Sequence, residues 1–157
     1  QRVMLPDIHC GYKPGIRQDL AFSPDGTELA YFSEGVIWKA DIDVHGLHDP
    51  MQLYQPSSFL PDLSWSPDGG LLAFLEYDEQ DSRTLLQVIN ADTGDLLYSR
   101  DWPGRGSQQL WGPSSNEIMS HAGAPFSMDI ETGAVSYPFG ENPDDVILLY
   151  DWHASGK

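Results

Sequence analysis

Serine hydroxyls, paired carboxylates and clustered imidazoles are the side chains here whose types could support catalysis or metal binding, and each set is thin. Ser23, Ser66 and Ser155 are candidate nucleophiles, yet each falls in a recurring stretch, and a catalytic hydroxyl is needed once. No G-x-S-x-G elbow, H-E-x-x-H, Walker loop or G-x-G-x-x-G is present. His9 beside Cys10, and His45 with His48 and Asp49, are pairs and loop residues rather than a ligand set of fixed geometry. Asp78, Glu79 and Asp81 offer oxygens of the kind calcium takes, but a solvated hairpin tip is built from the same residues and is the simpler reading. Asp144-Asp145 precede an apolar run and act as a polar break without an acid–base partner. No catalytic set, no metal site and no cofactor is expected.

Charge narrows the partners. The 157 residues carry 24 acids against 8 bases, a formal charge of −16, which repels a phosphate backbone whose binding depends on Lys and Arg releasing counterions. Nucleic acid and anionic membrane surfaces are excluded as expected partners, and no segment is apolar for long enough to insert in a membrane. Cys10 stands alone, so no disulfide framework exists to build on. The opening QRVMLPDIHC lacks the basic start and apolar run of a signal peptide, so the expectation is either a leader already removed or a cytoplasmic chain.

The recurring stretch identifies the elements that must position any site. It reads Phe22-Ser23-Pro24-Asp25-Gly26, then Trp65-Ser66-Pro67-Asp68-Gly69, each followed by an apolar segment. A worn copy follows at Trp111-Gly112-Pro113, and a truncated one at Trp152 with Gly156. The anchor aromatics are 43, 46 and 41 residues apart, a period belonging to propeller blades. Proline presets φ, Asp bonds back to local backbone and Gly accepts positive φ, so the motif suits a tight link between antiparallel strands. Strands are predicted over 19–22, 62–65 and 108–111, then 28–32, 71–77 and 117–122, then 36–42, 84–90 and 125–130. A second turn recurs at Asp92-Thr93-Gly94 and Glu131-Thr132-Gly133, loosely at Val44-His45-Gly46, and leads into strands carrying Tyr98, Tyr137 and Tyr54. The predicted fold is all-β across 1–157: four-stranded antiparallel blades at 19–55, 62–103 and 108–140, with an incomplete fourth at 144–157. Phe22, Trp65, Trp111 and Trp152 are expected to plug the gaps between adjacent sheets. Trp38 and Trp102 fall outside that position and are the candidates for exposed, functional aromatics.

Aromatic-Ser-Pro-Asp-Gly followed by an apolar strand resembles the WD-like repeat of the TolB-like β-propeller superfamily. The related Asp-box of sialidases is not matched, since Thr27 is not followed by Trp, and glycosidase readings lose support accordingly. Because propellers close with roughly four to eight blades, the resemblance implies a partial propeller that needs the remaining blades of a parent chain, or a homo-oligomer, to complete its ring. It also implies that partners dock on the rim formed by the loops between second and third strands and between successive units. Glu34, Asp78, Glu79, Asp81, Arg83, Arg105 and His121 fall there with Ser33, Ser107 and Asn142, and Trp38 and Trp102 are the aromatic candidates beside them. The implied function is a non-catalytic scaffold for a protein or small polar partner, in a periplasmic or secreted setting. The alternative is the gating propeller of a prolyl-oligopeptidase-like serine peptidase whose catalytic domain lies outside this chain. Sugar or lyase chemistry at a propeller axis is a third reading and would require a metal.

Overall fold

The computed structural model describes residues 20–103, 109–120 and 125–137, and every regular element among them is a strand. The first sheet holds β1 (Leu20–Phe22), β2 (Glu28–Ser33), β3 (Val36–Asp43) and β4 (Gly46–Tyr54). The second holds β5 (Phe59–Trp65), β6 (Leu71–Asp78), β7 (Arg83–Asn90) and β8 (Leu96–Asp101). The third holds β9 (Gln109–Trp111), β10 (Glu117–Ser120), β11 (Phe126–Asp129) and β12 (Val135–Ser136). Each is a four-stranded antiparallel meander in chain order. The predicted fourth unit, with Trp152, lies outside the described residues.

Period-two alternation in β6 and β7 explains how one sheet serves two interfaces. Leu72 and Phe74, with Ile89 and Ala91, pack toward the first sheet in a layer that includes Ala30, Ile37, Leu53 and Trp65. Ala73 and Leu75, with Leu86 and Val88, point the other way and pack with Trp102, Ile118, Phe126, Met128 and Ile130 of the neighbouring layer. The middle sheet is therefore apolar on both faces. Each large side chain fully buried there contributes about 1.5–3 kcal/mol.

Two polar devices lock adjacent sheets in place, and both come from the repeats. Trp65 Nε1 donates to Ala21 O at 2.9 Å, and Trp111 Nε1 donates to Ser64 O at 3.3 Å. Each indole thus reaches the carbonyl just before the anchor aromatic of the preceding unit. The second device is the Thr-Gly turn. Asn90 Oδ1 accepts from the amides of Asp92 and Thr93 at 2.9 Å, and Asp129 Oδ1 accepts from the Thr132 amide at 2.7 Å. The turns so shaped press on the preceding sheet: Lys39 Nζ of β3 reaches Asp92 Oδ1 at 3.1 Å, and Arg100 of β8 donates to the Glu131 carbonyl.

Phe22 departs from expectation. It is 56% exposed, whereas Trp65 is 7% exposed, because no earlier sheet among the described residues stands against β1. The same open face carries Trp38, which pairs in register with Tyr31 and is half-buried. Trp38 therefore belongs to a broad sheet face, not to the rim.

The Ser-Pro-Asp-Gly turn is a closed hydrogen-bonded unit. Gly69 N donates to Ser66 O at 2.9 Å, Ser66 Oγ donates to Asp68 Oδ1 at 2.6 Å, and Leu71 N donates back to Ser66 Oγ at 2.9 Å. Ser23 repeats the arrangement with Asp25 and Glu28 at 2.7 and 2.9 Å. Both serines are buried, as turn residues and not as nucleophiles.

Gly26 and Gly94 separate turn geometry from stacking, since both have φ +75. A Cβ on Gly26 meets nothing within 4 Å, whereas one on Gly94 overlaps the Leu53 carbonyl, whose carbon would stand 2.8 Å away. Gly26→Ala should cost about 1–2 kcal/mol for the left-handed conformation alone. Gly94→Ala should cost at least about 3 kcal/mol, because backbone must move between two sheets. Urea denaturation of the two variants checks this, and equal costs would mean that the turn is not wedged against β4.

Candidate functional site

Meander topology sends the turns between second and third strands, and the connections between sheets, to one rim. On that rim, between the first and second sheets, lies a cleft of about 560 Å³ lined by residues that include Tyr54, Ser57, Glu76, Tyr77, Asp78 and Gln87. Two elements build it. One is the hairpin of β6 and β7, in which Glu76 pairs with Leu85 and two further pairs, Tyr77 with Thr84 and Asp78 with Arg83, extend it. In the first sheet the corresponding hairpin ends at Ser33 opposite Val36, so the middle hairpin projects about 7 Å farther at roughly 3.3 Å per residue. The other element is the connection from β4 to β5, whose Ser58 carbonyl accepts from Tyr77 N at 3.1 Å.

Glu76 holds the two together. It is 5% exposed, and a buried carboxylate is costly unless hydrogen bonds replace its water. Ser57 N donates to Oε1 at 2.7 Å, Ser57 Oγ donates to the same oxygen, and Gln87 Nε2 donates to Oε2 at 2.9 Å. Gln87 is equally buried, and its Oε1 has no hydrogen-bond partner. Tyr54 packs on Phe74 with ring centroids 5.4 Å apart. Burial, and secondarily the Glu76 carboxylate, push the Tyr54 phenol above its ordinary value.

The hairpin tip is a self-contained ionic cap. Asp78 Oδ1 accepts from Gln80 N at 3.0 Å and from Asp81 N at 3.3 Å, while Oδ2 faces Arg83 Nε at 3.4 Å. Arg83 also reaches Asp81 at 3.2 Å and Asp101 at 2.8 Å. The Asp81 amide, foremost, holds the Asp78 carboxyl below its ordinary value. No group of three or more metal-ligating side chains forms among the described residues. His48 instead meets Asp43 Oδ1 at 2.8 Å, a contact that raises the imidazole above its ordinary value.

The sequence candidates divide accordingly. Asp78 and Glu79 line the cleft, and Asp81 and Arg83 cap the hairpin beside it. Glu34 lies in the first sheet's own hairpin turn with φ 52, exposed and outside the cleft lining. Arg105, Ser107, His121 and Asn142 lie outside the described residues. Trp102 requires correction: it is 5% exposed and meets Phe126 edge-on at 4.8 Å, because the strand end that carries it folds onto the third sheet. Trp38 lies on the first sheet's open face, half-buried and outside the cleft lining. Glu76, Gln87, Tyr54 and Ser57 were not anticipated. For Glu76 and Gln87 the signal was a polar residue within or directly after the apolar stretch of each paired strand, LLAFLEYD and RTLLQVIN.

No family model matches the chain, and no curated protein matches it. Solved structures do. The putative TolB from Agrobacterium tumefaciens is 22% identical with a TM-score of 0.58, over 79% of this chain and 46% of that one. The likeness shows the fold: these are blades of a β-propeller. The β-propeller domain of the Trilobed protease from Pyrococcus furiosus is similar at 15% identity and a TM-score of 0.58, covering 78% of this chain and 42% of its own. An acylaminoacyl peptidase shares 14% identity with a TM-score of 0.61, over 78% of this chain and 25% of that one. The chain spans less than half the length of each.

Asp78 supplies a pH test of the propeller's projecting hairpin. Its folded pKa is depressed, so its contribution to the hairpin is present above the ordinary carboxylate value of 3.8 and is lost as pH falls through the lower folded value. Amide exchange at Gln80 and Asp81 should therefore accelerate below that window, beyond the intrinsic pH dependence, and Asp78→Ala should show the fast exchange already at neutral pH. Unchanged protection in the variant would show that the tip is held by something else.

Proposed function

We propose that this propeller portion is a non-catalytic binding scaffold whose rim takes a protein or a small polar partner. The observation that carries the reading is the acceptor-lined cleft between the first two sheets, at the rim where the middle hairpin projects. Ser23 and Ser66 add support, being consumed in turn hydrogen bonds. The remaining blades of a parent chain, or a second copy, complete the ring in this reading, and the exposure of Phe22 on an open sheet face supports that. A periplasmic or secreted setting belongs to the same proposal through the resemblance to TolB-like propellers.

A second reading follows from the likeness to the Pyrococcus protease propeller and to acylaminoacyl peptidase: this portion would gate a serine peptidase domain elsewhere in the parent. The two part cleanly in one experiment. The product of the complete reading frame, treated with a fluorophosphonate probe of serine hydrolases, is expected to stay unlabelled. Covalent labelling would replace the scaffold with the gating propeller.

A further inference from the structure

The three sheets can be superposed in register through their anchor aromatics. Phe22 faces Leu29, Trp65 faces Leu72 and Trp111 faces Ile118. Two residues farther along the second strand of each, Tyr31 faces Trp38, Phe74 faces Gln87 and Ser120 faces Phe126. One structural slot therefore holds Trp38, Gln87 and Phe126. Only the middle sheet fills it with an amide, and that amide lines the cleft.

Gln87 is not there to satisfy itself. Its Nε2 is committed to Glu76 Oε2, which fixes which way the amide faces. That leaves Oε1 buried and without a donor in a residue only 5% exposed. An orphaned buried acceptor costs about 1–3 kcal/mol, a cost that an apolar pair in place of both Glu76 and Gln87 would avoid. Beside it, Glu76 carries a buried carboxylate that no cation touches among the described residues. The described Lys and Arg side chains are engaged elsewhere: Lys39 with Glu28 and Asp92, Arg83 with Asp78, Asp81 and Asp101, and Arg100 with backbone carbonyls.

We propose that this cleft receives an organic cation, specifically the guanidinium of an arginine presented by a basic peptide segment. The proposal rests on the binding-rim reading and names the chemistry of its ligand. Glu76 already accepts three hydrogen bonds, close to the roughly four that a carboxylate takes, so the remaining capacity is split between one Glu76 lone pair and Gln87 Oε1. A planar fork of N–H donors can engage two such separated acceptors at once, whereas an ammonium is a compact point charge. Tyr54 and Tyr77, which line the same cleft, offer ring surface that favours a delocalised cation. Glu79 and Asp78 at its lining add negative potential, and the net charge of −16 draws cations toward it from a distance. A metal ion is a poor fit, since the described residues gather no set of three ligands.

The test compares N-acetyl-argininamide with its neutral isostere N-acetyl-citrullinamide on the intact chain, followed by NMR shifts of the Gln87 side-chain amide and the Ser57 backbone amide. The arginine probe should bind at least tenfold more tightly, move both signals, and weaken as salt rises. Glu76→Gln should abolish the preference, since the new amide can donate to Gln87 Oε1 once that side chain turns over. Should that variant fold poorly, Glu79→Gln, which alters an exposed lining residue, should still weaken arginine binding severalfold. Equal binding of the two probes, or shifts confined to residues away from the cleft, would overturn the cation site. That result leaves the scaffold reading standing, because fluorophosphonate labelling decides the latter separately.

Discussion

A four-stranded sheet that is apolar on both broad faces has no stable state in water by itself, and this constraint governs the rest of the molecule. The middle sheet buries Leu72 and Phe74 on one side and Ala73 and Leu75 on the other, so its stability is a property of its neighbours. Hydrophobic stacking alone does not set the angle or offset of adjacent sheets, because burial is non-directional. The directional part comes from the indole N–H of Trp65 and of Trp111, each aimed at the innermost strand of the preceding unit. A phenylalanine can fill the same volume but cannot make that bond. Phe22, the one anchor with no unit before it among the described residues, is also the one without an N–H.

The same constraint explains why polar chemistry is confined to places where the repeat is broken. Inside a stacked layer, an amide or carboxylate must find its partners among neighbours or pay its full desolvation. Glu76 meets this demand by recruiting Ser57 from the connection between sheets, and in doing so it shapes one wall of the cleft. The carboxylate thus serves the fold and creates the cavity at once. Gln87 is half-satisfied; Ser64, Arg100 and Trp102 also hold a buried side-chain atom without a partner, but of the four only Gln87 lines the cleft.

Much of the architecture was legible from local chemistry. Ser-Pro-Asp-Gly encodes a turn through its own backbone and side-chain bonds, and a period in the low forties encodes repetition, so strand order and blade identity followed without tertiary information. The site was legible only in part. Asp78 and Glu79 could be found because a lengthened acidic hairpin stands out in sequence. Glu76 and Gln87 could not, because their meeting depends on a register in which Phe74 faces Gln87 and Glu76 faces Leu85, placing the two polar groups diagonally across one face. Trp102 misled for a related reason. It lies outside the anchor position, but a sheet buried on both sides offers aromatics several buried slots, and deviation from one motif is not exposure.

Departure from a repeat carries the functional information because the repeat itself is explained by stacking. At the slot shared by Trp38, Gln87 and Phe126, two occupants supply ring surface and the third supplies an unpaired acceptor. Were the middle sheet under the packing constraint alone, apolar side chains in place of both Gln87 and the Glu76 it donates to would be the lower free-energy choice. The hairpin above it is longer than its counterpart in the first sheet, although added strand pairs at a rim bury little and order more backbone. Both departures fall in one sheet, on one face and at one end, around a single cleft. Their meeting around that cleft is the ground on which the binding proposal stands.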